Sequence, residues 1–148
     1  MPVVAAVDQS EQSEAVVEQA GELAERYGVG LHVVHVREFS VGSFSVDDFK
    51  GTERDSPDMA DVREEATRTA VEAAGRVDGF DELETVGLLG DPAKELVKYG
   101  RKHDAEYLVL GGRRRTPVGK VMFGSVTQSV LLSADRPIVV VMDATDRE

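Results

Sequence analysis

The sequence predicts a doubly wound α/β domain, and three observations carry that expectation. Short apolar runs, VVAAV (3–7), LHVVHV (31–36), LETVGLL (83–89), EYLVL (106–110) and IVVVM (138–142), alternate with longer segments of helical period. Such alternation marks strand–helix units winding a parallel sheet. Most of the runs are nearly continuous in Val, Leu, Ile and Ala, as strands covered on both faces require. No repeat or low-complexity tract interrupts the βαβαβαβαβ order, so residues 1–148 are expected to form a single three-layer sandwich with one buried core.

Each element has a local reason. Residues 11–27 place Val16, Ala20, Leu23, Ala24 and Tyr27 on one stripe, with Ser10 as the expected N-cap and Gly28 as the stop. LETVGLL is more mixed and contains Gly87, which puts it toward a sheet edge. Ser56-Pro57 opens a second helix, with Val62, Ala66, Ala70, Ala73 and Val77 facing inward. Asp91-Pro92 opens a third, carrying Ala93, Leu96 and Val97. A fourth starts near Gly124-Ser125 and runs to about Ala134, with Val126, Val130 and Ala134 at four-residue intervals. Pro137 then starts the last strand.

One connection is long. Residues 37–56, REFSVGSFSVDDFKGTERDS, lack a helical period and read as a flexible loop. Loops beyond about 15 residues are usually functional or disordered. Phe39, Phe44 and Phe49 either pin this loop to the body or continue the preceding strand, or they make it a lid over a bound base or a partner contact.

Composition narrows the function. There is no cysteine, hence no disulfide framework, thiolate nucleophile or thiolate metal site. The start MPVVAAVDQS lacks the basic head and apolar run of a signal peptide, and no apolar run nears the roughly 20 residues of a bilayer span. A cytoplasmic protein without membrane contact is therefore expected. A net charge of -11 opposes general nucleic-acid binding, which needs phosphate neutralisation. Twelve arginines against five lysines on an acid-rich chain suit a halophilic, salt-rich cytoplasm, where screening removes self-repulsion; an ordinary acidic protein is the alternative.

Against that acidity, Tyr107 to Ala134 contains no Asp or Glu, and within it GGRRRTPVGKVMFGS (111–125) carries Arg113, Arg114, Arg115 and Lys120. The segment follows a buried strand and ends where a helix begins. Free N–H groups and the dipole at a helix N-terminus attract phosphate. Gly124 would let backbone approach an anion, and the Ser125 hydroxyl could add a donor; a plain N-cap with solubilising arginines is the alternative. The stretch is not a Walker A loop, because Gly112 and Gly119-Lys120 enclose six residues and Val121 stands where Ser or Thr is needed. Asp8 ends the first strand, and ligands of doubly wound sheets sit beyond carboxyl strand ends where the winding reverses. An Asp there can hold a ribose hydroxyl, orient a base or help position a metal; capping the next helix is the alternative.

These residues carry a resemblance over nearly the whole chain. The opening V-x-x-x-V-D-x-S, the long connecting loop and the closing GS-V-T-x-x-V…RPIVVV resemble the universal stress protein family, small α/β domains related to adenine-nucleotide-binding folds. The resemblance implies a five-stranded parallel sheet of order 3-2-1-4-5, with Asp8 and Gly111 at the switch point, and homodimers formed through the last strand. Nucleotide-binding members carry G-x-x-G-x9-G-[ST] after the fourth strand. Gly111 matches the first glycine and Gly124-Ser125 the final pair, while Arg114 stands at the second glycine. The carried-over site is Asp8 at the adenosine, the Val36 backbone at adenine, and Gly111, Arg113, Arg114, Gly124, Ser125 and Val126 around the phosphates. ATP, alone or with Mg, is the implied ligand. An arginine at position 114 can grip phosphate in bidentate fashion, which glycine cannot.

The remaining chemistry is sparse. His32 and His35, three apart on a strand, should face opposite sides, and His103 is expected to be remote, so no metal site is assigned. His35 reads as a satisfied histidine near the strand end. Asp47-Asp48 fits a solvated loop better than a carboxylate pair, and no Ser/His/Asp arrangement has supporting context. No arginine finger, water-positioning Gln or dedicated base is assigned, so no catalytic residue is expected. IVVVM as a sheet edge would expose an apolar ladder, which pairing with a second copy across a two-fold axis would cover. The expected function is a homodimeric stress-response protein whose adenine-nucleotide or anion site regulates contact with a protein partner of unknown identity. The alternatives are a nucleotide-free dimeric interaction module, with the loop arginines meeting an acidic partner, and a weak ATPase.

Overall fold

The computed structural model describes residues 1–38, 59–75, 82–114, 121–122 and 124–142. Ten elements follow in order: β1 (Val3–Ala6), α1 (Gln12–Tyr27), β2 (Leu31–Glu38), α2 (Met59–Ala74), β3 (Leu83–Gly90), α3 (Pro92–Lys102), β4 (Tyr107–Arg114), β5 (Val121–Met122), α4 (Ser125–Ser133) and β6 (Ile138–Met142). Five strands form a parallel sheet in the order β3-β2-β1-β4-β6, the expected 3-2-1-4-5 with β6 as the fifth parallel member. The order reverses between β1 and β4, which pair through Val3 with Tyr107 and Ala5 with Val109.

Period-two alternation on the central strands divides the interior into two layers. Val3, Ala5, Leu31, Val33 and Val109 pack against Val16, Val17 and Ala20 of α1 and Ala70, Ala73 and Ala74 of α2. Val4, Val34, Val36, Leu108 and Leu110 face the other way, onto Ala93, Leu96 and Val97 of α3 and Val130 of α4. Fully burying a Val or Leu side chain contributes about 1.5–3 kcal/mol relative to exposure, so these paired layers hold the sheet between its helices.

Helix ends follow local chemistry. Gly28 adopts φ +64° past the end of α1, and its N–H reaches the carbonyls of Ala24 and Glu25. The Asp91 carboxylate accepts the Lys94 N–H at 3.0 Å, and Pro92 occupies the first turn of α3.

Four expectations are corrected. Ser10 does not cap α1: Glu11 precedes the helix without a side-chain cap, because the Ser10 hydroxyl is engaged by the Asp8 carboxylate. Tyr27 is not core: it is 50% exposed at the last turn of α1, its hydroxyl 2.8 Å from that of Tyr107. His103 is not remote from His32: it follows α3, and the two rings lie 5.4 Å apart at the amino ends of the strands. The run expected over 106–110 does not end at Leu110, since β4 continues through Gly111–Arg114 and β5 returns antiparallel, with Arg113 opposite Met122 and Arg114 opposite Val121. The proposed loop at 37–56 with its phenylalanines, and Ser56-Pro57, Val77, Arg115 and Lys120, lie outside the described residues apart from Arg37 and Glu38, which end β2.

Candidate functional site: a cavity at the switch point

Because β1 stops at Ala6 while β2 and β4 run on, a crevice opens over the carboxyl end of β1. A cavity of about 290 Å³ occupies it, near the lower end of the usual range for small-molecule sites. Asp8, Val36, Gly111 and Val126 all line this cavity, so four of the residues singled out in the sequence meet there. Gly124 and Ser125 are exposed at the start of α4, adjacent in sequence to Val126 but outside the lining. Arg113 and Arg114 are the last residues of β4.

A tight turn fixes Asp8. Its carboxylate Oδ1 accepts the Ser10 N–H at 2.8 Å and the Ser10 hydroxyl, an Asx-type turn. Ser13, buried in the first turn of α1, accepts the Asp8 N–H at 2.8 Å through Oγ. The same Oγ lies 3.0 Å from the Asp8 carbonyl and 3.1 Å from Oδ1, in reach to donate to either. The carboxylate is thereby held at the cavity rim.

At the Val36 end of the cavity the ladder between β1 and β2 runs out. The last bond from the β1 segment to β2 joins Val7 N–H to the Val34 carbonyl, and the chain then turns away at Asp8. Val36, one repeat further along β2, borders the cavity instead of a β1 residue. His35 also lines it, with Nδ1 2.8 Å from the Val7 carbonyl. A carbonyl can only accept, so Nδ1 carries a proton and is the donor in this contact.

At the opposite end, α4 points its N-terminus toward the crevice with no acidic residue in its first turn. Its Gly124 N-cap has φ -61° and ψ 161°, and among the described residues a Cβ placed there would meet nothing within 4 Å. The glycine stands at the helix dipole's positive end. Thr127 donates its hydroxyl to the Gly111 carbonyl at 2.9 Å, tying α4 to the end of β4. Gly111 has a different reason for lacking a side chain: an added Cβ would lie 2.7 Å from Cδ of Gln12.

Residues 1–142 match the sequence profile of the universal stress protein family. The chain belongs to that family. A universal stress protein of Mycolicibacterium smegmatis is 42% identical over 62 residues, which cover 42% of this chain and 46% of that protein. The match thus spans less than half of that relative's length. A universal stress protein structure from Archaeoglobus fulgidus is 30% identical with a TM-score of 0.68, covering 95% of this chain and 97% of that one. The universal stress protein from Archaeoglobus fulgidus solved in complex with dAMP is 25% identical with a TM-score of 0.62, covering 95% and 96%.

Sequence reasoning missed Gln12, Ser13, His35 and Thr127 as cavity residues. Ser13 and Thr127 were detectable in principle, as small polar residues at buried helix positions beside a family motif. Gln12 resembled any solvated residue of a first helical turn.

Proposed function

We propose that this universal stress protein binds an adenine nucleotide in the switch-point cavity and uses it as a regulatory ligand. The observation supporting this is the meeting of Asp8, Val36, Gly111 and Val126 around one cavity, below the acid-free N-terminus of α4. Asp8 would hold a ribose hydroxyl, the Val36 backbone would face adenine, and the amides at Ser125 and Val126 would meet phosphate. The Archaeoglobus fulgidus complex with dAMP supports the same ligand class. ATP is the ligand expected, with Mg as its companion ion. Among the described residues no cluster of three or more His, Asp or Glu could hold a metal by itself, so any Mg would arrive with the phosphates.

A thermal-shift series with ATP, AMP and sulfate, run at low and high KCl, tests the reading. A ligand at 100 times its Kd raises stability by about 2.7 kcal/mol. Stabilisation by ATP and AMP well beyond that by sulfate is expected. An equal response to sulfate would mean an anion site without adenosine recognition. The KCl arm tests a salt-adapted cytoplasmic protein, for which the melting temperature climbs with salt. Among the described residues no helix is long and apolar enough to cross a membrane.

A second reading rests on the antiparallel β4–β5 ribbon. Arg114, at the motif's second glycine, lies in a strand paired with Val121. A cationic ribbon offered to an acidic protein partner is the nucleotide-free alternative, and complete indifference to nucleotides would favour it. In either case we propose a homodimer through β6. Among the described residues this strand pairs only with β4, and all five of its residues are half-buried.

A further inference from the structure

Gln12 is the first residue of α1, yet its side chain makes the longest-range polar contacts near the cavity. The amide Nε2 donates to the Gly112 carbonyl and, at 3.2 Å, to the Val141 carbonyl. A primary amide has two N–H groups, so both acceptors can be served at once. These carbonyls belong to β4 and β6, adjacent strands in register at Gly111 with Val141 and Gly112 with Met142. Both lie where the parallel ladder ends. Gln12 also presses on Gly111, where an added Cβ would come within 2.7 Å of its Cδ and 2.8 Å of its Oε1. It lines the cavity itself, four residues beyond Asp8.

One side chain therefore joins the Asp8 turn, the root of the arginine-bearing ribbon and the outermost parallel strand. Thr127 fastens the Gly111 carbonyl from the other side, so residues 111 and 112 are held from α4 and from α1. Fixing a binding surface before the ligand arrives lowers the ordering cost of binding.

We infer that Gln12 is a positioning residue: it clamps the ends of β4 and β6 and so sets where the phosphate end of a nucleotide would rest, without contacting adenosine. The ligand half of this statement rests on the nucleotide reading above; the clamp does not.

Two measurements separate the clamp from the ligand. In hydrogen–deuterium exchange, Gln12→Ala should raise amide exchange at 111–114 and 140–142 and leave β1, β2 and β3 unchanged. No change, or a uniform rise across the sheet, would overturn the clamp whether or not a nucleotide binds. In calorimetric titrations, Gln12→Ala should weaken ATP about tenfold, the scale of one lost buried hydrogen bond, while adenosine affinity moves by less than about twofold. Equal losses for ATP and adenosine would reduce Gln12 to general structural support. A wild-type protein that binds neither would end the nucleotide reading and leave the exchange experiment to judge the clamp. Gln12→Glu adds a signature that simple loss of packing lacks. A carboxylate facing two carbonyls is repelled, whereas the protonated acid can still donate to one of them. The carboxyl pKa in the folded state is then raised, so the defect should be small in acid and grow as pH rises. A pH-independent defect would count against the assigned hydrogen bonds.

Discussion

Gly87 of β3 lies directly against the backbone of Thr67 in α2: an added Cβ would be 2.3 Å from the Thr67 nitrogen and 2.7 Å from the Arg63 carbonyl oxygen. The helix is seated on the edge strand at this point, and two of the three nearest neighbours are main-chain atoms that cannot swing aside. Gly87→Ala must push α2 off β3. Overpacking of this kind costs about 1–3 kcal/mol and more when backbone has to move, so a loss of at least ~2 kcal/mol is expected. Urea unfolding reads it as a lowered midpoint with the slope unchanged. An unaltered midpoint would mean the helix is not held there.

That glycine also shows what was legible beforehand. Its presence in a mixed apolar run placed LETVGLL at a sheet edge, and β3 is an edge of the parallel sheet. The apolar runs and the Gly28 and Asp91 helix ends were equally readable, because each is set by residues close together in the chain. The contacts that shape the cavity are not. Gln12 meets Gly112 across 100 residues, and nothing in a 3.6-residue period announces a partner at that distance. Strand β5 is two residues long, too short for alternation to register. His103 meets His32 only because the end of α3 returns to the strands' amino ends.

That His32 cluster gives a pH dependence. His32 sits with Nδ1 2.7 Å from the Tyr99 hydroxyl and Nε2 3.5 Å from a Glu84 carboxylate oxygen, with the His103 ring beside it. Burial, and then the Glu84 charge, push the Tyr99 hydroxyl up to about 12, so it keeps its proton and donates to Nδ1. Burial lowers the His32 pKa below 6.5; Glu84 opposes this, while His103 and the N-terminal ammonium add to the lowering. With the folded value below the unfolded one, the unfolded chain takes up the proton first on acidification. The contribution is intact above about pH 6.5 and is lost as pH falls towards the folded value. His32→Gln should therefore flatten the decline in urea midpoint between about pH 7 and 5, while keeping a partner for the Tyr99 hydroxyl. Parallel pH profiles for variant and wild type would rule the histidine out as the source.

Gly111 and Gln12 form a pair whose coupling is measurable. Gly111→Ala alone places a methyl group against Gln12 and should displace its amide from the Gly112 and Val141 carbonyls. A cost of about 1–2 kcal/mol is expected for the hydrogen bonds disturbed. With Gln12→Ala already present, the same methyl group enters space the amide has left, and its added cost should fall to a few tenths. The double-mutant cycle then shows a coupling of about 1 kcal/mol. Additive effects would mean that Gly111 is glycine for the sake of the backbone rather than of its neighbour.

The proposed dimer is tested most directly at Val140. In β6, Val139 and Val141 pack on one core layer and Ile138 on the other, whereas among the described residues Val140 belongs to neither cluster of packed residues. Val140→Lys should spare the fold while setting a charge on the outermost parallel strand. Placed opposite its own copy across a two-fold axis, that lysine would face another lysine or lie close to one, and charge is among the devices by which sheet edges resist pairing. Sedimentation velocity should show a dimer for the wild type and a monomer for Val140→Lys, with matching far-UV spectra. A variant that stays dimeric with the same concentration dependence would move the interface elsewhere on the molecule. A wild type that is already monomeric would remove the need for one.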